Sequence, residues 1–357
     1  MFPLISVVLP CRNEKETLGA CIRELRAVAE KNNLVIEIIV SDSSEDGSEV
    51  IAKKEEVVLV EHGTEGYGFA VKEGVRHAKG DIIIYADADG TYRFSELPEF
   101  LKKLKEADVV IGSRFKGYIE KGAMPLSHRF FGTPFFNALL MIFFGIRISD
   151  SQSGYRAMKK QTFFDLNLKT NGMELATEMI IKAKRSHAII KEVPIRYLRR
   201  KGISKLRRYR DGFAHLKYIL LQTPFAFYSA AGSLFFAVGI FSLILLNFSS
   251  LPVPGVLDSA TVKILFPLIG FQLLFFGLFA KTYLSVRFEE KSELMEKFYS
   301  IFKLRIAIGV GAVLILVPLF LKVAGISQEI FEPLLVSTIL GLQIIFNSIV
   351  LSTLSIK

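Results

Sequence analysis

Asp87 and Asp89 are the residues of this sequence best placed to do chemistry. They stand in ADAD at the end of DIIIYAD, an apolar run that reads as a buried strand. Residues i and i+2 point to opposite sides within a strand, yet both can reach one point where the strand breaks into a loop. Two hard carboxylates placed there suit Mg2+ or Mn2+ bridging a diphosphate, and such an ion would neutralise charge on a departing nucleotide diphosphate. The plainer alternative is an acidic pair capping the next turn, where Gly90 also fits.

Two other polar stretches follow apolar runs: Pro10-Cys11-Arg12-Asn13-Glu14, and Ser41-Asp42-Ser43-Ser44 with Asp46-Gly47-Ser48 after it. No Walker A sequence occurs, and no G-x-G-x-x-G follows a strand, so a P-loop or a dinucleotide site is not expected. Gly66-Tyr67-Gly68 is a weak signal that turn geometry alone explains. Cys11 and Cys21, the only 2 cysteines, have no metal or disulfide spacing and read as small buried residues.

The elements that must hold these loops alternate. LISVVL, VIEIIV, VVLVE, DIIIYAD and ADVVIG read as buried strands. Thr17–Lys31 reads as a helix with Leu18, Cys21, Ile22, Leu25 and Val28 on one face, and further helices fall near Gly66–Ala78 and Ser95–Lys105. This pattern predicts an α/β fold with a doubly wound, mostly parallel sheet, whose ligands bind beyond the carboxyl ends of the strands.

From Pro224 onward Phe, Leu, Ile, Val, Gly and Ala dominate. Phe225–Phe248, Val262–Tyr283, Leu304–Val323 and Phe331–Leu354 each have the roughly 20 residues a membrane-crossing helix needs. The expected organisation is a soluble domain over 1–210, an amphipathic juxtamembrane helix over 211–223 and a four-helix membrane domain over 224–357. Lys and Arg are absent from the first and third connections but present in the second, as Arg287, Lys291, Lys297 and Lys303. With no signal peptide at the start, this predicts a multi-pass protein whose N-terminal domain and C-terminus are cytoplasmic. The apolar stretch 130–148, broken by Gly132, Pro134 and Gly145, reads as a helix lying in the membrane interface, with domain core as the alternative. Much of the net charge of +10 gathers in Arg199, Arg200, Lys201, Lys205, Arg207, Arg208 and Arg210, just before the first span. Basic charge so placed points to membrane lipids and lipid phosphates as partners and not to nucleic acid.

The order of these motifs resembles family 2 glycosyltransferases of the GT-A fold, from about Leu4 to Leu220. Within that family it is similar to the polyprenyl-phosphate hexosyltransferases, the dolichol-phosphate mannose and dolichol-phosphate glucose synthases. VVLPCRNE matches the opening motif, implying that Pro10, Asn13 and Glu14 line a nucleotide-sugar pocket with Asp42 on the base or ribose. ADAD matches the metal motif, implying that Asp87 and Asp89 hold Mg2+ or Mn2+ on the donor diphosphate. Many relatives place Gln where this chain has Thr91. GSRF implies that Arg114 helps bind phosphate, and Ser127 and Arg129 fall where relatives place groups near the acceptor phosphate. DSQSGYRA matches a stretch containing Asp150, Ser153, Gly154 and Arg156, followed by Glu178 on an acidic helix; Arg156 and Glu178 also read as structural ion-pair partners. EVPIRYLRRKGISK matches the closing stretch, implying that Arg200, Ser204 and Lys205 clamp the diphosphate or the lipid phosphate.

The resemblance implies inverting transfer of a hexose from a nucleotide sugar to dolichyl or polyprenyl phosphate, with Asp89, Arg114, Arg129 and Arg200 as the catalytic group. A lipid phosphate oxygen is already anionic at neutral pH, so the site must supply positioning and cationic compensation more than a strong base. DADGTY in place of D-A-D-L-Q favours UDP-glucose over GDP-mannose. Three rivals compete: a processive polysaccharide synthase, a non-catalytic nucleotide- or lipid-binding scaffold, and a channel or transporter. The first would carry Q-x-x-R-W, and this chain has 0 Trp. Retention of both aspartates and the closing basic motif opposes the second. The third wants polar groups in the spans, which read as nearly free of them. A homo-oligomer is compatible with the sequence.

Overall fold

The computed structural model describes residues 4–202, 208–248, 259, 261–288, 297–298, 300, 303–325 and 331–355. The chain divides into two compact units, Met1–Leu221 and Gln222–Lys357.

The first unit is built on a seven-stranded sheet of order β3-β2-β1-β4-β6-β5-β7. Its strands are β1 (Ile5–Cys11), β2 (Ile36–Asp42), β3 (Val58–Glu61), β4 (Ile82–Tyr85), β5 (Val109–Ile119), β6 (Arg156–Lys159) and β7 (Ile190–Tyr197). All neighbours are parallel except β6, which runs antiparallel to both β4 and β5. The five apolar runs read as strands form β1 to β5. β6 was not read, because RAMK is four residues long and has no β-branched residue. β7 carries Pro194, which a strand tolerates where the missing N–H costs no ladder bond; β7 lies at the edge of the sheet.

Side chains alternate across β1, so each face of the sheet gets its own core. Ile5, Val7, Leu9 and Cys11 pack with Leu18, Ile22 and Leu25 of α1 (Leu18–Lys31) and with Phe100 of α4 (Leu97–Leu104). On the other face Val8, Ile39, Ile83 and Tyr85 pack with Val71 and Val75 of α3 (Tyr67–His77) and Leu140 of α5 (Thr133–Phe144). Met179 and Ile180 of α7 (Leu175–Arg185) and Ile219 of α8 (Arg208–Gln222) complete that face. Each fully buried Leu or Ile contributes about 1.5–3 kcal/mol, so these faces fix the sheet that carries the loops. The shorter α2 (Ser48–Lys54) and α6 (Lys160–Asp165) fill the connections after β2 and β6.

The stretch 130–148 forms a π-helical turn at His128–Gly132 followed by α5, which Gly145 ends in the left-handed region at φ 65°. One side of it is core, through Leu140 and Ile146; the other leaves Phe130, Phe131 and Ile142 at 62%, 75% and 73% exposure.

Among the described residues of the second unit, four helices are long and apolar enough to cross a membrane: Pro224–Ile244, Thr261–Tyr283, Leu304–Val323 and Phe331–Thr353. They lie in α9 (Pro224–Phe248), a π-helical turn Thr261–Leu265 leading into α10 (Phe266–Phe288), α11 (Leu304–Val323) and α12 (Phe331–Ser355). α9 packs on α10 through Gly232 and Gly270, and α11 on α12 through Gly311 and Gly341. A Cβ on Gly311 would lie 2.8 Å from the Gly341 carbonyl, so only glycine permits that approach. Contrary to the sequence reading, the spans are not nearly free of polar groups. Lys263 faces Glu332 at 3.6 Å, and Asn347 Nδ2 donates to Gln272 Oε1 at 3.2 Å, joining the second span to the fourth.

Candidate active site

Three loops of the first unit converge at the carboxyl ends of β1, β2 and β4. The loops after β1 and β2 are stitched together by side chains. Asn13 donates its main-chain N–H to Ser44 Oγ (2.7 Å), and its Oδ1 accepts the Glu45 N–H (2.8 Å). Asn13 sits at φ 55°, a left-handed conformation that Asn accepts more readily than most residues. The Glu14 N–H reaches Ser48 Oγ at 3.1 Å, and Ser44 Oγ donates to Asp42 Oδ1 at 2.5 Å. Pro10 is buried in β1 opposite Ser41. Pro10, Asn13, Glu14 and Asp42 therefore share one wall.

The turn after β4 carries the acidic pair. Thr17 Oγ1 donates to the Ala88 carbonyl at 2.7 Å and fixes the turn from below. Asp89 is 4% exposed and fully engaged. Its Oδ1 accepts both the N–H (3.0 Å) and the hydroxyl (2.6 Å) of Thr91, and its Oδ2 faces Arg200 Nη1 at 3.1 Å. The other terminal nitrogen of Arg200 pairs with Glu14 Oε1, so one guanidinium joins the β1 and β4 loops. Asp87 differs: its Oδ1 is buried and, among the described residues, has no hydrogen-bond partner. Burial, and after it the Asp89 carboxylate, push Asp87 up to about 7, against the opposing pull of Tyr67, Arg200 and Arg114.

Arg114, at the end of the straight part of β5, is 8% exposed. Its main-chain N–H and Nε donate to Asp150 Oδ2 at 2.9 and 2.7 Å, and Nη2 donates to Asp150 Oδ1 at 2.7 Å. The guanidinium also lies 5.1 Å from the Tyr197 ring centre. Asp150 is itself held by Glu192 Oε1, which accepts its N–H at 3.2 Å. Nε and Nη2 of Arg114 are thus both committed to Asp150.

Ser127 and Arg129 are not drawn into this cluster. Both are exposed beside the π-helical turn, and Arg129 lies over the Phe130 ring at 5.7 Å. Ser204 and Lys205 lie outside the described residues. The expected ion-pair role is correct for Glu178, which meets Lys182 at 2.6 Å and also accepts the N–H groups of Lys169 and Thr170. It is not correct for Arg156. That side chain is fully buried and donates to three carbonyls, those of Ser151, Ser153 and Ala176, so it shapes the loop behind the site. Sequence reasoning gave no role to Thr17, Ser44 or Asp150; the motif match to D-x-x-S-G carried the only signal for the last.

A mostly parallel sheet with one antiparallel strand and acidic loops at its carboxyl ends has the arrangement of the GT-A fold, with ligands expected beyond those strand ends. Residues 6–165 match the model of glycosyl transferase family 2. The chain is 35% identical over 283 residues to the low-salt glycan biosynthesis hexosyltransferase Agl6 of Haloferax volcanii, spanning 78% of this chain and 68% of that protein. It is 30% identical over 222 residues to the dolichyl-phosphate hexose transferase of the same organism, spanning 61% of this chain and 93% of that protein. Among solved structures, mannosyl-3-phosphoglycerate synthase from Rubrobacter xylanophilus superposes with TM-score 0.50 at 20% identity, covering 62% of this chain and 74% of that one. The chain belongs to glycosyl transferase family 2 and is a glycosyltransferase.

Proposed function

We propose that the protein transfers a hexose from a nucleoside diphosphate sugar to a polyprenyl or dolichyl phosphate at a membrane surface, inverting the anomeric centre. The observation that carries this reading is the Asp87/Asp89 pair at the end of β4, one carboxylate clamped by Thr91 and Arg200 and the other with a buried unbonded oxygen. The names of the two Haloferax volcanii relatives support a hexose and a lipid phosphate as the two substrates.

The donor set fits Mg2+ or Mn2+. The Asp89 carboxylate and the neighbouring Asp87 carboxylate, whose Oδ1 is buried, repel each other, which a divalent cation relieves, and Asp87 Oδ1 is an oxygen ready to ligate. Among the described residues no group of three His, Cys, Asp or Glu side chains is arranged for a metal. The Thr91 hydroxyl donates to Asp89 Oδ1 and so orients that carboxylate; diphosphate oxygens and water would complete the shell. The bound ion supplies Lewis-acid neutralisation of the leaving diphosphate.

The chain's own residues do the rest. Asp42 and the Asn13–Glu14 wall hold the nucleoside end, and Arg200 offers its guanidinium to the diphosphate. Arg114 Nη1, with the basic residues Arg129 and Lys205 and the hydroxyls of Ser127 and Ser204, compensates the acceptor phosphate. An anionic phosphate oxygen of the lipid attacks the anomeric carbon. The new C–O bond forms as the bond to the β-phosphate oxygen breaks, and the nucleoside diphosphate leaves with the electron pair. UDP-glucose is favoured over GDP-mannose as donor, on the DADGTY sequence. Residues 1–210 act as the catalytic domain on the cytoplasmic side and residues 224–357 hold it to the bilayer. The exposed Phe130, Phe131 and Ile142 lie in the headgroup layer where the acceptor's phosphate resides.

The test incubates purified full-length protein with a short polyprenyl phosphate, Mg2+ or Mn2+, and UDP-glucose or GDP-mannose separately. Mass spectrometry then seeks the lipid-phosphate hexose. Product from one donor, lost with chelator and with Asp89→Ala, is expected. Free glycan with no lipid adduct would overturn the reading.

A further inference from the structure

The Gly66-Tyr67-Gly68 triplet opens α3 and has no part in the chemistry above. Its two glycines lean on the segment 170–172. A Cβ on Gly68 would lie 2.8 Å from the Gly172 carbonyl and 2.9 Å from that of Thr170, and one on Gly66 would collide with the Asn171 carbonyl. The segment is itself fastened: Glu178 accepts the N–H groups of Lys169 and Thr170, and Phe69 donates its N–H to the Asn171 carbonyl at 3.1 Å. Glycine on both sides thus seats the first turn of α3 against a pinned loop. That seating aims the one side chain between them, Tyr67, into the molecule.

Tyr67 points at the unbonded carboxylate. Both its hydroxyl and Asp87 Oδ1 are buried, and among the described residues neither has a hydrogen-bond partner. Gly154 shows how close the two groups lie. A Cβ there would sit 2.9 and 3.0 Å from the two Asp87 oxygens and 3.0 Å from the Tyr67 hydroxyl. A buried phenol without a partner carries a desolvation penalty that phenylalanine would avoid in the same space. A carboxylate that ligates a cation through one oxygen accepts an outer hydrogen bond on the other, and such a bond sets its orientation.

Resting on the metal role of Asp87 given above, we propose that Tyr67 is a positioning residue whose hydroxyl holds the Asp87 carboxylate in its metal-ligating orientation. With a cation bound, the hydroxyl would donate to the Asp87 oxygen that does not face it. The Gly-Tyr-Gly spacing serves to place that one donor, and Gly154 keeps open the space in which the two groups meet.

The test titrates Mn2+ alone into purified full-length protein and follows the free-ion signal by electron paramagnetic resonance. Wild type, Tyr67→Phe, Phe69→Leu and Asp87→Asn are compared. Tyr67→Phe is expected to bind Mn2+ about 10-fold more weakly than wild type with a melting temperature that does not fall. Phe69→Leu perturbs the same turn without reaching Asp87 and is expected to bind as wild type does. Wild-type affinity in Tyr67→Phe, with Asp87→Asn defective, would overturn the role of Tyr67 and leave the metal site standing. An equal loss in Phe69→Leu would reduce Tyr67 to packing. Wild-type affinity in Asp87→Asn would remove the metal reading of Asp87 and this proposal together.

Discussion

Thr91 stands where many relatives have a longer amide side chain, yet its hydroxyl and N–H both close on Asp89 Oδ1, 2.6 and 3.0 Å away. A side chain two residues beyond a carboxylate can orient it as usefully as it could join it on a cation. Thr91→Val keeps the shape and removes the donor, so the Mn2+ concentration for half-maximal activity is expected to rise about 10-fold with little change in melting temperature. An unchanged Mn2+ requirement would show that the N–H of residue 91 suffices. The acidic pair was legible in the sequence because ADAD ends an apolar run. The use made of Thr91 was not, since donating to Asp89 and ligating a metal differ only by rotation about one bond. Nor was the pairing of Arg200 with Glu14, which joins residues 186 positions apart. Spacing along the chain says nothing about that closure; the segment after β7 reaches the site by pairing with the β4 loop, where Tyr197 bridges Tyr92 and the Leu198 N–H donates to the Thr91 carbonyl at 2.8 Å.

α8 shows how an element can be found and still be misjudged. The sequence predicts an amphipathic juxtamembrane helix over 211–223 leading to the first span; a helix is there, and one face of it is core. His215 is 5% exposed, bonds to Thr177 Oγ1 at 2.7 Å and lies against Phe136, with Ile219 fully buried one turn on. Tyr209 and Phe213 face outward at 94% and 66% exposure. Large apolar residues on both sides of the helix left its pattern without a direction. Burial, with Arg156 adding to it, pushes His215 down to about 4 from an ordinary 6.5. The folded state therefore binds fewer protons here than the unfolded chain. Stability from this group is complete above pH 6.5 and is lost as pH falls towards 4, by at most about 3 kcal/mol. His215→Gln is expected to flatten the fall in melting temperature across that window, read by thermal unfolding at a series of pH values. Wild-type and variant curves of equal slope would place the acid sensitivity elsewhere. β6 failed to register for a different reason: at four residues it depends on its two neighbours and has little pattern of its own.

The division into a mixed domain and four apolar helices was plain from composition, since runs of about 20 apolar residues have few other uses. The polar contacts inside the second unit escaped that reading because single Gln and Asn residues barely alter the hydropathy of a long window. The contacts fall into two kinds. Glycine seams join α9 to α10 and α11 to α12, each pair adjacent in the chain. The Gln272–Asn347 bond joins α10 to α12, and Lys263, in the π-helical turn leading into α10, pairs with Glu332 of α12, both across a long separation in sequence. Replacing Gln272 and Asn347 together by Leu is expected to weaken the association of the two hairpins by about 1 kcal/mol. Cross-linking within each hairpin should persist while cross-linking between α10 and α12 falls. Equal loss of both would contradict this arrangement. The arrangement also has a bearing on how the chain is made. The first hairpin can leave the ribosome, enter the bilayer and close on its own glycines before the second exists. The side-chain amides and the Lys–Glu pair then act as a latch between two finished halves, and synthesis need never hold four unpaired helices in lipid at once.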